Sequence, residues 1–332
     1  MAKVLVTGGA GFIGSWLSDE LIRRGHVVVC VDNLSGGYLS NVNRDCTFIK
    51  GDLRSRATVR KAMKDIDIIF HLAAYAAEGQ SVFSPIEIND INITSMNNIL
   101  VEAVNNNVGK IVFTSSMAVY GKQKPPFDEA LPVKPEDPYG IGKVYCENML
   151  NVFYNAYDLD YTIIRPHNVY GPRQNIADPY RNVLGIWINR IMRGKPPIIY
   201  GDGKQIRAFS YIDGVAKAIA SSGFLPITNR EVINVGSSEK VSINSACNLV
   251  LNLMDSKLKP IHVKGRPQEV KCAYTTTKKS EQLLRYTDRH KLKDGLIEMI
   301  NWAKERGPQK PTYSVPLEIR KNVPKVWLNK TM

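Results

Sequence analysis

The sequence predicts an α/β protein with a Rossmann-type, doubly wound parallel sheet and a smaller, loop-rich C-terminal domain that would bind a substrate. In the first half of the 332-residue chain, short apolar segments alternate with helix-length segments, which is the pattern of repeated βαβ units. A glycine-rich turn, 8–14, follows the first of these strands and opens the first helix. After Pro166 the chain changes to loops rich in proline, glycine and asparagine, which predicts a second, less regular domain.

The individual elements follow from apolar runs and their spacing. The predicted strands are 4–6, 27–31, 47–49, 67–72, 110–114 and 161–165, and the predicted helices are 15–24, 89–107 and 140–157. Further along, 213–222 again has helical spacing and 232–235 is again apolar, so we expect the first domain to be discontinuous. The boundaries that follow are 1–165 with about 208–238 for the first domain, and 166–207 with 239–332 for the second.

Composition favours an ordinary globular protein. Hydrophobic residues make up 44% of the chain and charged residues 23%. No segment approaches the ~20 apolar residues of a membrane span. The first residues run directly into a predicted strand, so no signal peptide is expected. The five cysteines are odd in number, scattered and without a C-x-x-C pair. Reduced thiols and a cytoplasmic location are therefore expected.

The formal charge of +13 requires a nucleic-acid partner to be considered. The sequence has no zinc-ligand spacing, no block of like charges and no basic strip interleaved with aromatic residues. The five histidines form no ligand cluster, so no metal is expected. From Gly307 onward, five lysines or arginines face a single acid, Glu318, and this segment is predicted to be a solvated basic tail. A nucleic-acid partner is disfavoured, whereas an anionic small substrate would benefit from the same field.

The glycine-rich turn has the spacing of a dinucleotide site. Gly8, Gly11 and Gly14 would allow a tight turn, close approach of the backbone to a pyrophosphate, and close helix packing. Asp32 ends the second strand 18 residues after Gly14, where a carboxylate accepts hydrogen bonds from the adenosine ribose. The next two residues, asparagine and leucine, offer no charge for a 2′-phosphate. NAD is therefore favoured over NADP, and the alternative is a structural turn with a capping aspartate.

Tyr139 and Lys143 form a second motif, four residues apart on a predicted helix. A free tyrosine is a poor base at neutral pH, because its pKa is about 10. A lysine one turn later lies on the same face and would favour the phenolate, which could then exchange a proton with an alcohol. Together with a dinucleotide as hydride acceptor, the pair predicts redox chemistry on an alcohol. The alternative is an exposed helical pair with no catalytic role.

Together these motifs resemble the extended short-chain dehydrogenases/reductases, in the branch of NAD-dependent nucleotide-sugar epimerases and dehydratases. The resemblance covers the chain from Val4 to about Lys304. The matching segments are the loop 8–14, Asp32-Asn33-Leu34, Gly51-Asp52-Leu53, His71-Leu72-Ala73-Ala74, Thr114-Ser115-Ser116, Val119-Tyr120-Gly121, Pro138-Tyr139-Gly140 with Lys143, and the run 165–173.

The resemblance implies a role for each matching position. Ser116 would hydrogen-bond the reacting hydroxyl, Tyr139 would exchange its proton, and Lys143 would complete the catalytic set. The residues expected at NAD are Gly8, Gly11, Phe12, Ile13, Gly14, Asp32, Asn33, Asp52, Leu53, Leu72, Ala73, Ala74, Tyr139, Lys143 and Pro166. The resemblance also implies a set of residues at the substrate: Ser116 at the reacting hydroxyl, Asn168 and Arg207 at the pyrophosphate, Arg266 on a phosphate, Glu269 on the nucleotide ribose, and Ala273 in the sugar pocket.

Among the reactions of this family, 4-epimerisation is favoured. Met117-Ala118 occupies the place where 4,6-dehydratases carry an Asp-Glu pair and UDP-glucuronate decarboxylases keep a glutamate. The chain is thus similar to UDP-glucose 4-epimerases, which act on UDP-glucose and UDP-galactose, and the small Ala273 would also admit an N-acetyl group. The alternatives are another nucleotide-sugar epimerase, a reductase, a dehydratase or a decarboxylase, and, outside enzymes, an NAD-sensing or RNA-binding relative.

Three departures from the epimerase pattern leave the sugar open. Tyr75-Ala76-Ala77 stands where such enzymes often carry a lysine, Gly214 stands where relatives often have a second aspartate, and His167 replaces an aromatic residue. Apolar residues on the helices 89–107 and 140–157 would pair with their copies in a four-helix interface, so a homodimer is expected from the resemblance.

Overall fold

A computed structural model describes residues 1–266 and 269–332. Its strands are β1 (Lys3–Thr7), β2 (Val27–Asp32), β3 (Thr47–Lys50), β4 (Ile68–His71), β5 (Lys110–Thr114), β6 (Asp160–Pro166), β7 (Val169–Tyr170), β8 (Ile198–Tyr200), β9 (Ile206–Ala208), β10 (Ser210–Tyr211), β11 (Val232–Val235), β12 (Lys240–Ser242), β13 (Ile261–Val263) and β14 (Cys272–Ala273). Seven of them form one parallel sheet in the order β11-β6-β5-β4-β1-β2-β3. The predicted doubly wound sheet is confirmed, and its strand order reverses beside β1, where such sheets bind ligands.

The helices are α1 (Phe12–Arg23), α2 (Arg56–Ala62), α3 (Glu78–Ser81), α4 (Pro85–Asn89), α5 (Ser95–Asn105), α6 (Pro138–Tyr157), α7 (Val183–Met192), α8 (Ile212–Ser222), α9 (Ile243–Leu253), α10 (Lys278–Leu284), α11 (Leu292–Arg306) and α12 (Lys325–Leu328). A π-helical turn, Asp90–Thr94, joins α4 to α5, so the predicted helix 89–107 is part of a longer helical segment. Helix α6 begins two residues before the predicted position, because Asp137 caps it by accepting from the Gly140 N–H at 2.8 Å.

Alternating side chains of β1 face the two sides of the sheet. Val4 and Val6 pack with α1 and α8 on one side, whereas Leu5 packs with α2, α5 and α6 on the other. The apolar cluster on the side of Val4 and Val6 continues into α7, α9 and α11. A continuous apolar core therefore links the large sheet to the C-terminal part of the chain and holds the two together.

The C-terminal part carries three small sheets. Strands β12, β9 and β14 form one of them, β13 pairs with β8, and β10 pairs with β7. This part is more regular than the loop-rich pattern indicated, although its strands have only two or three residues each. The proposed domain boundaries, 1–165 with about 208–238 and 166–207 with 239–332, stay a prediction.

The prediction of a solvated tail after Gly307 is wrong. Trp327 is only 1% exposed and its ring lies 4.9 Å from that of Tyr180. The side-chain amide of Gln80 donates to the Val315 carbonyl at 2.9 Å, which ties the tail to α3. The five basic side chains are exposed, so charge alone indicated a solvated segment. The apolar anchors spaced between those charges decide its packing.

Candidate active site

A cleft of about 450 Å³ lies at the carboxyl ends of the central strands, between the sheet and the C-terminal part. It gathers residues from distant segments of the chain. The predicted residues that line it are Gly8, Gly11, Phe12, Ile13, Gly14, Asp32, Asn33, Asp52, Leu53, Leu72, Ala73, Ala74, Ser116, Tyr139, Lys143, Pro166, Asn168, Arg207, Arg266 and Glu269. The chain folds so that the two sequence motifs, Gly8–Gly14 and Tyr139–Lys143, face one space.

The glycine loop at the start of α1 is closely packed. A Cβ atom added to Gly14 would lie 2.1 Å from the Gly8 carbonyl oxygen, and one added to Gly8 would lie 3.0 Å from the Ala73 backbone. Gly8 also has a φ of +72°, a conformation that favours glycine. The loop therefore brings bare backbone to the N-terminus of a helix, where backbone N–H groups and the helix dipole hold phosphate.

Two carboxylates, those of Asp32 and Asp52, line the same cleft as this loop. Asp32 accepts from the backbone N–H groups of Leu34 at 2.7 Å and Ala10 at 3.1 Å, while burial raises its pKa. Asp52 accepts from Arg54 at 2.9 Å, and that guanidinium holds the pKa of Asp52 below its ordinary value. Arg54 also pairs with two further acids, so its charge is already compensated. No uncompensated cation lies here among the described residues that line the cleft, which fits a ribose hydroxyl rather than a 2′-phosphate, and these residues fit NAD.

Tyr139 is buried in the first turn of α6, and its backbone N–H donates to the Ser81 hydroxyl at 3.2 Å. Lys143 follows one turn later on the same face, with Nζ 5.7 Å from the Tyr139 ring centroid. That ammonium donates to the Thr114 carbonyl at 2.7 Å. Burial lowers the pKa of Lys143 to about 8, so it carries a charge at neutral pH. The predicted side-by-side placement of phenol and ammonium is present.

The expected lowering of the Tyr139 pKa is wrong for the protein alone. Burial raises this pKa, and the nearby carboxylate of Glu78 raises it further. A hydrogen bond with Ser116 and the charge of Arg181 act in the opposite direction. The helical spacing of Tyr139 and Lys143 did not reveal these opposing effects on the Tyr139 pKa. It also did not show that the Lys143 ammonium donates to the Thr114 carbonyl. The phenolate is therefore disfavoured in the protein alone.

Ser116 lies two residues after the end of β5, and its hydroxyl accepts from the Ala118 N–H at 3.1 Å. Its neighbour Ser115 donates to the buried carboxylate of Glu147, which accepts from Arg165 at 2.9 and 2.6 Å. Arg165 also donates to the Tyr120 hydroxyl at 2.8 Å. This network, which links β5, α6 and β6 beneath the cleft, was not predicted. Tyr120 and Arg165 belong to matching motifs, but nothing local in the sequence pairs them.

The predicted substrate residues surround the far end of the cleft. Arg207 lies on β9 and donates to its neighbouring carbonyl at 2.9 Å, and the Asn168 amide donates to the Ala208 carbonyl at 2.9 Å. Arg266 pairs with Glu269 at 3.2 Å and lies 4.8 Å from the Tyr200 ring. All four predicted polar residues therefore share this wall of the cleft.

Ala273 lies outside the main cleft, in the wall of an adjoining side cavity of about 80 Å³. Met117 and Ala118 also border this side cavity, which shares Asn168 and both arginines with the cleft. The short side chains at 118 and 273 leave this space open.

Two charged residues of the cleft were not predicted. Glu78 begins α3 and is exposed to the cleft, and Arg181 lies in the loop before α7. Arg181 donates to Asp178 at 2.9 Å and lies 5.4 Å from the Tyr75 ring. The sequence could have indicated Glu78, because it follows the carboxyl end of a central strand. Nothing in the local sequence indicated Arg181. Elsewhere in the two described ranges, no three His, Cys, Asp or Glu side chains come together as metal ligands, and no helix is long and apolar enough to span a membrane.

Comparison with known proteins identifies a relative that matches almost the whole chain. It is a putative UDP-glucose 4-epimerase of Methanocaldococcus jannaschii, 36% identical over 305 residues, which represent 91% of this chain and 98% of the relative. Such a match extends well beyond the nucleotide-binding motifs into the C-terminal part.

Two solved structures match the fold along the same length. The UDP-N-acetylglucosamine 4-epimerase of Methanobrevibacter ruminantium, solved with UDP-N-acetylmuramic acid, is 35% identical with a TM-score of 0.85. The UDP-glucuronic acid 4-epimerase of Bacillus cereus, solved with UDP-glucuronic acid and NAD, is 28% identical with a TM-score of 0.86. In both cases the match covers 92% of this chain and 99% of the other.

The family model for the NAD dependent epimerase/dehydratase family matches residues 4–236. This range contains the glycine loop, Asp32, Ser116 and the Tyr139–Lys143 pair. The relatives are isomerases in name, and the cofactor of the family is NAD. The chain therefore belongs to the NAD dependent epimerase/dehydratase family, as an NAD-dependent enzyme of the isomerase type.

Proposed function

We propose that the protein is a nucleotide-sugar 4-epimerase that interconverts UDP-glucose and UDP-galactose. The observation that carries the proposal is the placement of Ser116, Tyr139 and Lys143 in one cleft with the glycine loop, next to Met117 and Ala118. Because those two side chains carry no acid or base, the strand end after Ser116 provides no group for eliminating water or assisting decarboxylation.

In this proposal the cofactor and the nucleotide are held by opposite walls. The glycine loop takes the cofactor pyrophosphate, Asp32 takes the adenosine ribose, and Lys143 takes the nicotinamide ribose. When bound, NAD supplies a positively charged ring that accepts the C4 hydride and later returns it. Across the cleft, Arg207 and Arg266 bind the substrate diphosphate, Asn168 lies beside it, and Glu269 accepts from the nucleotide ribose.

Ser116 and Tyr139 handle the proton. Ser116 holds the C4 hydroxyl by a hydrogen bond, and the Tyr139 oxygen takes its proton as the alcohol becomes a ketone. Lys143, charged at neutral pH, favours the phenolate once the site is loaded. When the ketone is reduced on its other face, Tyr139 returns the proton and the sugar has inverted at C4.

Inversion requires the sugar to turn while its nucleotide stays bound. The arginines of the proposed site are placed for the diphosphate, and a cleft of about 450 Å³ leaves room around the ring. A strong hold on the charged linkage with few contacts to the ring permits this rotation. The side cavity beside Ala273 supports extending the proposal to the N-acetylated pair of substrates.

We also propose a homodimer formed through α5 and α6. Val101 on α5 is 38% exposed, and Ile141 and Val152 on α6 are 56% and 53% exposed. Apolar side chains on two adjacent helices support pairing with their copies in a four-helix interface. The cytoplasmic location remains part of the same proposal, supported by five cysteines that form no disulfide in the structure.

The direct test incubates the purified protein with UDP-galactose, without added cofactor, and follows UDP-glucose. We expect conversion by the native protein and by Tyr145→Phe, a control on the same helix whose phenol bonds Asn97 at 3.1 Å outside the cleft. Tyr139→Phe should abolish conversion. If the native protein releases NAD on denaturation but converts neither UDP-hexose, the proposed substrate pair is wrong.

A further inference from the structure

Glu78 is a charged residue of the cleft that the catalytic scheme above does not use. It lines both the main cleft and the side cavity, and its side chain is exposed to that space. Within residues 1–266 and 269–332, its carboxylate has no hydrogen-bond or ion-pair partner. An unpaired carboxylate that points into a ligand cleft is available to the ligand.

The electrostatic neighbours of Glu78 locate it relative to the proposed reaction. Arg207 and Arg266 lower its pKa against the effect of burial, and Glu78 itself raises the pKa of Tyr139. Glu78 therefore lies within electrostatic reach of the proposed diphosphate site on one side and the proton-transferring phenol on the other. If the proposed function holds, the hexose occupies the space between them, beside this carboxylate.

Other acids increase the negative charge of this region. Asp137, Glu136 and Glu269 line the same side cavity as Glu78. Glu78 and Asp137 compete for ionisation, and the charge of Glu78 helps to raise the pKa of Asp137 to about 7. A third carboxylate brought between them has to be protonated or repelled.

The cations nearby are already occupied in the loaded site. Arg207 and Arg266 are the proposed ligands of the diphosphate, and the guanidinium of Arg181 is bonded to Asp178 at 2.9 Å. No uncommitted arginine among the described cleft residues remains to receive a carboxylate at C6 of the sugar.

We propose that Glu78 is a specificity-determining residue that makes the enzyme select uncharged nucleotide hexoses and reject nucleotide uronates. The inference rests on the proposed 4-epimerase function. The Glu78 carboxylate accepts hydrogen bonds from sugar hydroxyl or amide N–H groups and repels a uronate carboxylate. Because the ring turns between the two half-reactions, both of its edges pass Glu78, so a C6 carboxylate meets it in at least one orientation.

The test compares UDP-glucose with UDP-glucuronate at about pH 8, which lies above the pKa of about 7 of Asp137 and favours the ionised form of both carboxyls. Epimerisation of each nucleotide is measured as kcat/KM, and binding of each is measured by titration calorimetry. The variants are Glu78→Gln, which keeps the shape and removes the charge, and Glu305→Gln, which removes the same charge from an exposed position on α11 outside the cleft.

We expect the native protein and Glu305→Gln to prefer the uncharged nucleotide in both measurements. Glu78→Gln should shift the preference toward UDP-glucuronate by about tenfold or more, equivalent to about 1.4 kcal/mol. An unchanged preference in Glu78→Gln, or equal use of both nucleotides by the native protein, would overturn the inference.

The binding arm separates this inference from the proposed function. If neither nucleotide is epimerised but the ratio of the two dissociation constants shifts in Glu78→Gln, the role of Glu78 stands and the proposed reaction is wrong. If UDP-glucose is epimerised and the ratio does not shift, the reaction stands and the role of Glu78 is wrong.

Discussion

Among the contacts beneath the cleft, the buried pair of Glu147 and Arg165 should lose the most stability when one partner is substituted. Glu147 is 7% exposed and Arg165 4% exposed, and two N–H groups of the guanidinium bond the carboxylate at 2.9 and 2.6 Å. Glu147→Gln keeps one acceptor oxygen but leaves the Arg165 charge without a counterion. Removing one partner of a buried pair costs 3–5 kcal/mol, so we expect a loss of about 3 kcal/mol in the free energy of unfolding.

The assay is urea unfolding followed by far-ultraviolet circular dichroism, with the midpoint and slope compared between proteins. The matched control replaces both charges together, Glu147→Leu with Arg165→Met. Because apolar residues of similar volume leave no buried charge, this double variant should recover most of the lost stability. A single variant within about 0.5 kcal/mol of the native protein would refute the reasoning, as would a double variant less stable than the single one.

A second readout connects this pair to catalysis. Ser115 donates to Glu147 and directly precedes Ser116, so a glutamine at 147 changes the support of the segment after β5 that carries the proposed catalytic hydroxyl. In Glu147→Gln we expect a lower kcat with little change in KM, because the nucleotide is bound by other residues. If Glu147→Gln loses the predicted stability but its kcat is unchanged, the pair has only a structural role.

Three further predictions follow from separate parts of the structure. Gly14→Ala should abolish retention of NAD through gel filtration, because its Cβ would lie 2.1 Å from the Gly8 carbonyl oxygen; NAD retained at the native ratio would contradict this. Burial raises the pKa of Asp137 to about 7, so the folded protein binds the extra proton and loses stability as pH rises from about 4 to 7. Asp137→Asn keeps a capping oxygen, and its stability relative to the native protein should rise between pH 5 and pH 8 in urea titrations; a constant difference would contradict this. Trp327→Ala should cost about 3–5 kcal/mol in the free energy of unfolding, because this side chain is 1% exposed. A negligible loss would instead support the prediction that the tail is solvated.

Local patterns predicted the elements that form the proposed cofactor site. The predicted strand 27–31 is observed as Val27–Asp32, and 110–114 is observed as Lys110–Thr114, because continuous apolar runs are typical of strands buried on both faces. Gly8 and Tyr139 could also be identified from local sequence. The prediction for Gly8 depends only on a tight turn next to a helix, and that for Tyr139 depends only on the spacing of one helical turn.

Contacts between distant segments could not be predicted in this way. Glu147 lies 18 residues from Arg165 on another element, and Arg181 meets Tyr75 across more than a hundred residues. No spacing rule marks such pairs, because the fold brings them together. The prediction for the tail was wrong for a related reason. Its charges are visible in the sequence, but the apolar cluster that receives Trp327 is formed by Phe83, just after α3, and by residues of the C-terminal part such as Tyr180.

Under the proposed function, the raised pKa of Tyr139 links its role in proton transfer to occupancy of the site. Burial and Glu78 both favour the protonated phenol, so the protein alone holds an inactive acid rather than a free base at neutral pH. Lys143 remains charged there because its pKa is about 8, but its ammonium is engaged by Thr114. In the proposed reaction, the oxidised cofactor would add positive charge beside this phenol. Proton abstraction by Tyr139 would then be favoured where a hydride acceptor is also present, which fits a cofactor that stays bound between turnovers.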